Sequence, residues 1–308
     1  MSHMSTLRKV MDQVHQISEN HSDRFIKKDD ISFDSLEKVN VDGVYHPLRP
    51  MAQQCISNRL GIPIQYLRKC PPEIQRLNMN YWIEKEKNDK LFFRFDKEEV
   101  RAVFTPRYIP TDNLEVLERL KSLNFPQDDP VQYSLDDTFM MVNIPDTKKS
   151  FTINGDRMTP GVSVSNSEVG IASLSISAFV LRLVCTNGMI SKTEVTASYR
   201  HISAKILSEF PQVLNGISNE LENQKHQISI SLQSKVDNPE STIERFNRQF
   251  QVDKVEKEAV DWGWTFEAGD TMFNIINTYT RASQYDLLSA DSSYKLQKIG
   301  GNILAMLN

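Results

Sequence analysis

One stretch of the sequence, residues 161–190, constrains the fold more than any other. It contains two runs in which apolar and small residues alternate, separated by the break Glu168-Val169-Gly170 and followed by Asn187-Gly188. Alternation with a period of two is typical of β-strands, and Asn-Gly is a preferred sequence of tight hairpin turns. The stretch therefore predicts a hairpin or meander at the centre of an antiparallel sheet.

Arg182 lies on the apolar face of the second predicted strand. A guanidinium group there needs a carboxylate, carbonyl groups or a bound anion, because burying an unpaired charge is strongly unfavourable. Glu168, in the preceding break, is the nearest acidic candidate. We expect a structural ion pair between Arg182 and Glu168, and an anion-binding site is the alternative.

The order of hydrophobic periods along the chain predicts an α+β fold. Helical spacing marks residues 5–19, followed by a flexible polar segment through Asp30, and it returns at residues 50–60, at 64–69 and after Pro71-Pro72. The last of these helices carries an apolar stripe of Ile74, Leu77, Tyr81 and Trp82. Strand-like alternation then marks residues 91–95, 101–105, 131–135 and 138–144, with a helix at 112–123.

Beyond residue 192 the pattern is helical again. We expect a central antiparallel sheet with hairpins, flanked by helices, and a helical C-terminal third. The predicted regions are 1–46 (N-terminal helix and extended arm), 47–200 (α+β core) and 201–308 (helices packing on the core). Aromatic residues at helical spacing, including Trp262, Trp264 and Tyr279, indicate a packing layer, with a subunit interface as the alternative.

Composition limits the possible environments and partners. The net charge of −4 means that any affinity for nucleic acid must come from a local basic surface. The odd number of cysteines, Cys55, Cys70 and Cys185, and the lack of a secretory leader favour free thiols in the reducing cytoplasm. No apolar run reaches the roughly 18 residues that a membrane span needs. We therefore expect a cytoplasmic protein.

Motifs of common enzymes are missing from the sequence. It has no G-x-x-x-x-G-K-[ST] phosphate loop, no G-x-G-x-x-G and no H-E-x-x-H. We expect no enzymatic activity, cofactor or metal. An enzyme of another type would use Cys185 as a nucleophile with His201 as base, or Glu168, but a buried, inert Cys185 agrees better with the apolar run before it.

The predicted hairpin at residues 91–108 is the better functional candidate. We expect Arg94 to face solvent, and Arg101 and Arg107 to share one face of the returning strand. Basic residues beside aromatic rings are the combination that single-strand-binding proteins use. The candidate nucleic-acid-binding residues are Arg94, Arg101, Arg107, Lys90, Lys97, Phe92 and Tyr108. The alternative is a solvated hairpin edge whose lysines discourage aggregation.

Three blocks of sequence resemble one known family. They are Asn166-Ser-Glu-Val-Gly170 running through Leu181-Arg-Leu-Val-Cys-Thr-Asn-Gly-Met189, Phe273-Asn-Ile-Ile-Asn-Thr-Tyr-Thr-Arg281, and Arg101-Ala-Val-Phe-Thr-Pro-Arg-Tyr108 followed by Asp112-Asn113. The pattern is similar to the phage- and plasmid-like proteins of domain of unknown function 932. This resemblance covers roughly residues 45 to 305 and implies a gene of a mobile element, without an established activity.

By analogy of fold, such a protein looks similar to single-strand annealing recombinases, which form rings and bind DNA along a basic groove. We therefore expect a homo-oligomeric protein that binds and anneals single-stranded DNA in recombination, without nucleotide hydrolysis. The alternative is a protein-interaction or regulatory factor of the mobile element, for example in counter-defence, that does not bind DNA.

Overall fold

The computed structural model describes residues 3–123, 125–182, 187–190, 197–199 and 221–307. Within these ranges the fold is α+β, as predicted, with an eight-stranded antiparallel sheet, two three-stranded sheets and a helical C-terminal region. Cys185, His201 and residues 200–220 lie outside the described residues. Residues 197–199, which were predicted to be helical, form a strand. Cys55 and Cys70 are free thiols, as expected.

The described helices are α1 (Leu7–Ser18), α2 (Pro50–Leu60), α3 (Ile64–Leu67), α4 (Pro72–Glu84), α5 (Asn113–Ser122), α6 (Leu221–Gln233), α7 (Pro239–Gln249), α8 (Lys254–Glu267), α9 (Met272–Ala282) and α10 (Ala290–Ala305). The described strands are β1 (His3–Thr6), β2 (His21–Lys27), β3 (Ile31–Ser35), β4 (Lys38–Val41), β5 (Val44–Pro47), β6 (Lys90–Asp96), β7 (Glu99–Phe104), β8 (Pro130–Leu135), β9 (Met140–Pro145), β10 (Phe151–Ile153), β11 (Asp156–Asn166), β12 (Leu174–Arg182), β13 (Asn187–Ile190) and β14 (Ala197–Tyr199).

The predicted hairpin of residues 161–190 lies at the centre of the large sheet, whose main strand order is β1-β8-β9-β11-β12-β13. Strand β11 pairs with β9 on one side and β12 on the other. Gly161 is needed there, because a Cβ atom would lie 2.1 Å from the carbonyl oxygen of Ile144. One face of the sheet packs against α1 and α5 through Val10, Leu117 and Ile176, among others.

The other face of the large sheet carries the C-terminal helices. Met158 and Val180 of the sheet pack in one core with Tyr279 of α9. Asn143 of β9 donates a hydrogen bond to the side-chain oxygen of Gln297 on α10, at 3.0 Å. Tyr279 is fully buried and Trp264 packs against the same core, so the aromatic packing layer is confirmed for these residues.

Two small sheets, β2-β6-β7 and β3-β4-β5, form a second core with α2 and α4. The β6–β7 hairpin was predicted, but β2 was not. Strand β2 lies at the edge of its sheet, and its residues are mostly exposed. The expectation that this segment is flexible is wrong. Pairing with β6 holds these polar residues in an extended conformation.

The apolar stripe of α4 does lie along one side of the helix, but that side faces solvent. Met79 and Ile83, on the opposite side, are the residues that enter the core. Within the described residues, no helix is both long and apolar enough to cross a membrane.

Candidate nucleic-acid interface

The sheet β2-β6-β7, termed the ribbon below, carries most of the predicted site. Its register sets three cross-strand pairs on one face, Asp23 with Arg94, Phe25 with Phe92, and Lys27 with Lys90. Alternate residues of a strand share a face. The neighbours Leu91, Phe93 and Phe95 therefore point the other way, into the core.

Arg94 is buried and ion-paired, so the expectation that it faces solvent is wrong. The residue is only 1% exposed. Its Nε and Nη2 atoms donate to the two carboxylate oxygens of Asp23, both at 3.0 Å, and Nη2 also pairs with Asp112. Burial lowers the pKa of Arg94, but Asp112 and Asp23 more than offset this and raise the pKa. Its charge is neutralised within the fold.

Arg101 is buried on the same face and is also neutralised. Its Nη2 atom pairs with the carboxylate of Glu168, and Nη1 lies 2.9 Å from Nδ1 of His21. The Glu168 carboxylate also accepts a hydrogen bond from the backbone N–H of Asn113 at 2.6 Å. Burial alone would raise the pKa of Glu168. The positive charge of Arg101 and these hydrogen bonds lower the pKa by more than burial raises it, so the pKa is below its usual value. Arg101 is therefore a structural cation.

Burial, followed by the positive charge of Arg101, lowers the pKa of His21. The imidazole is therefore neutral near pH 7, and Glu168 carries the negative charge that balances Arg101. The Glu168 carbonyl oxygen also accepts from Nη1 of Arg94 at 3.1 Å. The turn between β11 and β12 thus binds the ribbon to the large sheet through both arginines.

Arg182 forms the structural ion pair that was expected, but with other partners. Its guanidinium donates to Asp156 and to Glu267, each at 2.8 Å. Glu168 is not the partner, because the length of β12, roughly 26 Å from Leu174 to Arg182, separates them. Two carboxylates occupy the guanidinium, so this site is structural.

The basic residues of the hairpin do not form a continuous positive groove. Lys97 lies in the turn after β6, and Lys90 lies at the start of that strand, roughly 20 Å away. Between them, an open cavity of about 750 Å³ beside Arg94 has an acidic lining. Its acidic residues are Asp23, Asp112, Glu115 and Glu118. A phosphate chain along the whole ribbon would be repelled there.

Four aromatic rings form a row at the Lys90 end of the ribbon. The ring centroids are 5.0 Å apart for Phe25 and Phe92, 5.7 Å for Phe92 and Tyr108, and 3.8 Å for Tyr108 and Phe104. Phe92 is only 4% exposed and cannot stack on a base, which corrects its predicted role. Phe25, at the open end of the row, is 51% exposed.

Tyr108 is partly buried, and its hydroxyl donates to the carbonyl of Glu168 at 3.3 Å. Burial raises the pKa of Tyr108 to about 12. The phenol is therefore neutral and held against the β11–β12 turn. Arg107 precedes it in an exposed turn.

The ammonium group of Lys90 lies over the exposed ring of Phe25. The Lys90 Nζ atom lies 4.6 Å from the ring centroid, and Lys27 is directly opposite Lys90 in the register. Both lysines are exposed, and neither has a carboxylate partner among the described residues. Like charges directly opposite each other destabilise a strand pair. The surface formed by Phe25, Lys27 and Lys90 is termed the ribbon end.

Sequence reasoning found Lys90 of the ribbon end but missed Phe25 and Lys27. Their segment reads as polar and irregular, and only its pairing with β6 brings them to the site. The distribution of charge along the sequence also points to the N-terminal part of the chain as the more basic region. Residues 21–110 contain 16 Lys and Arg against 13 Asp and Glu, whereas residues 111–308 contain 18 against 25.

Among the described residues, no group of three or more His, Cys, Asp and Glu side chains could hold a metal ion. No protein-family model, curated protein or solved structure matches the chain. The resemblance to domain of unknown function 932 thus stays a prediction, and function has to be inferred from the ribbon end itself.

Proposed function

We propose that the protein binds single-stranded DNA at the ribbon end. One observation carries this proposal: a half-exposed phenyl ring, Phe25, lies beneath Lys90, which is itself directly opposite Lys27. A base stacked on an exposed aromatic ring contributes about 1–3 kcal/mol. A phosphate between the two lysines would remove their mutual repulsion, which no carboxylate of the described residues does.

The proposed role is annealing in the recombination of a mobile element. Holding a strand by its backbone and by stacked bases leaves its base-pairing edges open to a complementary strand, so this role needs no nucleotide hydrolysis. The acidic cavity beside Arg94 confines the site to a few nucleotides on each copy. Arg94, Arg101 and Phe92 have no part in it, because they are buried.

Fluorescence anisotropy with a labelled oligothymidylate of about 16 nucleotides, at low and physiological salt, tests the proposal. The wild-type protein should bind, with an affinity that falls as salt rises. Phe25→Ala should weaken binding by about 5- to 150-fold, as expected for the loss of one stacked base. Replacing Lys27 and Lys90 together by glutamine should reduce the slope of log affinity against log salt by about 1.4.

Two matched controls lie outside the ribbon end. Tyr45 of β5 is another exposed ring with a lysine above it, Lys38 at 4.5 Å, so Tyr45→Ala removes the same kind of surface elsewhere. Lys97→Gln removes one exposed charge at the far end of the ribbon. Both variants should bind like the wild type, and thermal melting checks that all variants fold.

No binding by the wild type, or equal losses for Phe25→Ala and Tyr45→Ala, would contradict the proposal. A wild-type protein that shows a cooperative thermal transition but does not bind DNA at either salt concentration would instead support the regulatory role. The acidic part of the chain, residues 111–308, would then be the region to test for a basic protein partner.

A further inference from the structure

An exposed apolar surface covers the outer side of α3 and α4. Its members, termed the α4 patch, are Tyr66, Ile74, Leu77, Tyr81 and Trp82. Leu77, at its centre, is 63% exposed. The ring centroids of Tyr81 and Trp82 are 5.4 Å apart. Asn78 of α4 donates to the hydroxyl of Tyr66 of α3 at 3.4 Å, and this hydrogen bond links the two helices. A contiguous exposed patch of this kind marks an interaction site.

The rim of the α4 patch carries unpaired positive charge. Arg68, Lys69, Arg76 and Lys85 are exposed there. None of the four has a carboxylate partner among the described residues, and Lys85 lies 4.9 Å from the Tyr81 ring centroid. Glu73 and Glu84 also lie on α4, so the excess on this surface is positive but modest.

A second exposed apolar surface lies on α8 and the connection between α9 and α10. Its members, termed the α8 patch, are the exposed Val255, Phe266 and Leu287 and the half-buried Trp262 and Tyr285. The Trp262 ring centroid lies 5.0 Å from that of Phe266 and 5.7 Å from that of Tyr285, which links α8 to the connection between α9 and α10. Phe266 is 57% exposed and Leu287 is 70% exposed.

The rim of the α8 patch has the opposite charge. Glu258, Asp261 and Asp286 are exposed, and within the described part of the chain none of them has a basic partner. Arg281 is a cation within the patch, with its guanidinium 4.7 Å from the Phe266 ring centroid. Lys254, at the start of α8, is also an exposed cation, so the excess on this surface is negative but small.

We propose that the α4 patch of one copy binds the α8 patch of a second copy. Both surfaces are apolar at the centre, and their rims carry opposite charges. Pairing α4 with α4 would instead bring the four rim cations of each copy together. The stripes on the two helices also have compatible lengths, about 10 Å from Ile74 to Tyr81 and about 16 Å from Val255 to Phe266.

The two patches are different surfaces of the same chain, so the contact is heterologous. A contact of this type repeats from copy to copy and gives a closed ring or an open filament. It also brings the basic region, residues 21–110, of one copy against the acidic region, residues 111–308, of the next. This assembly does not depend on the proposed DNA binding.

Sedimentation velocity of the full chain over a range of concentrations tests the contact. The wild type should form species larger than a dimer. Leu77→Asp and Phe266→Asp should each weaken self-association by about 30-fold or more, the loss expected of a central interface residue. An equimolar mixture of the two variants should form a dimer and nothing larger, because each variant supplies the patch that the other lacks.

Val44→Asp is the matched control, since Val44, the first residue of β5, is about as exposed as Phe266 and Leu77 and lies outside both patches. It should assemble like the wild type. A monomeric wild type would overturn the proposal, as would a mixture that stays monomeric. So would a Phe266→Asp variant that still assembles while Leu77→Asp does not, because the α4 patch would then bind something other than the α8 patch.

Discussion

Replacing Glu168 by glutamine should destabilise the protein by about 3–5 kcal/mol, the cost of removing one partner of a buried ion pair. Arg101 is 3% exposed, and among the described residues Glu168 is the one carboxylate paired with it. His21, on the other side of the guanidinium, is neutral because its pKa is lowered. Glutamine retains the shape and can still accept from the Asn113 N–H, so the substitution removes the charge rather than the packing.

The loss can be measured by urea denaturation and by thermal melting. For a chain of this size, about 3–5 kcal/mol corresponds to a fall in the melting temperature of roughly 5–8 °C. The folded-state pKa of Glu168 is lowered, so its contribution is present above the unfolded pKa of about 4.3 and is lost as the pH falls through the folded pKa. The gap between wild type and variant should therefore be constant from pH 7 to about pH 5, and narrow below about pH 4.

Two further variants identify the cause of this loss. Adding Arg101→Met to Glu168→Gln removes the orphaned charge and should restore part of the stability. Asp128→Asn breaks the exposed pair between Arg8 and Asp128 and should leave the melting temperature unchanged. A loss below about 1 kcal/mol for Glu168→Gln, or a double variant that is less stable than the single one, would refute the argument that Arg101 depends on this carboxylate.

Three other substitutions test separate parts of the fold. The lowered pKa of His21 means that the unfolded chain binds a proton there more readily, so wild-type stability should fall below about pH 6.5 and His21→Asn should flatten that part of the urea-denaturation profile. Gly161→Ala should cost about 3 kcal/mol by overpacking, whereas Gly43→Asn, in open space at a positive φ, should be nearly neutral in the same assay. Tyr279→Phe should cost about 1–3 kcal/mol in thermal melting, because Asn247 loses the hydroxyl donor at 2.7 Å.

Local sequence predicted the centre of the large sheet because strand periodicity and small residues agree there. The turn predicted at Asn187-Gly188 is wrong, because both residues lie within β13, opposite Arg182 and Leu181 of β12. It also predicted that Arg182 would be ion-paired, since desolvation makes an unpaired guanidinium unfavourable wherever the chain folds. The partner was wrong because the carboxylates of Asp156 and Glu267 reach Arg182 from other elements. The sequence around Arg182 shows that this residue needs a counter-charge, but the carboxylates that supply it come from distant parts of the sequence.

The same distinction explains Arg94 and α4. Alternation placed Arg94 correctly on the face opposite Phe93, but it could not show that β2 and the β11–β12 turn cover that face. Helical periodicity likewise placed Leu77 on one side of α4 without showing which side faces the core. Met79 and Ile83 occupy the core instead. In both cases the periodicity was correct, and the missing information was long-range.

If the ribbon end and the α4 patch act independently, substitutions in them should affect the binding of long and short DNA differently. Head-to-tail assembly repeats the ribbon end at regular intervals, so a long strand would engage several copies and bind with avidity. Leu77→Asp leaves the ribbon end intact. It should lower the affinity for an oligonucleotide of about 60 nucleotides by about 100-fold or more, and leave that for about 8 nucleotides unchanged.

Phe25→Ala should weaken binding of both lengths, because every copy then lacks its stacking ring. Anisotropy titrations with the two oligonucleotides give all four affinities. An equal loss for Leu77→Asp at both lengths would mean that the α4 patch itself contacts DNA, since Tyr81 and Trp82 are exposed rings beside the cation of Lys85. That result would place the DNA site on α4 and not at the ribbon end. It would also refute the proposal that DNA binding and self-association use different surfaces.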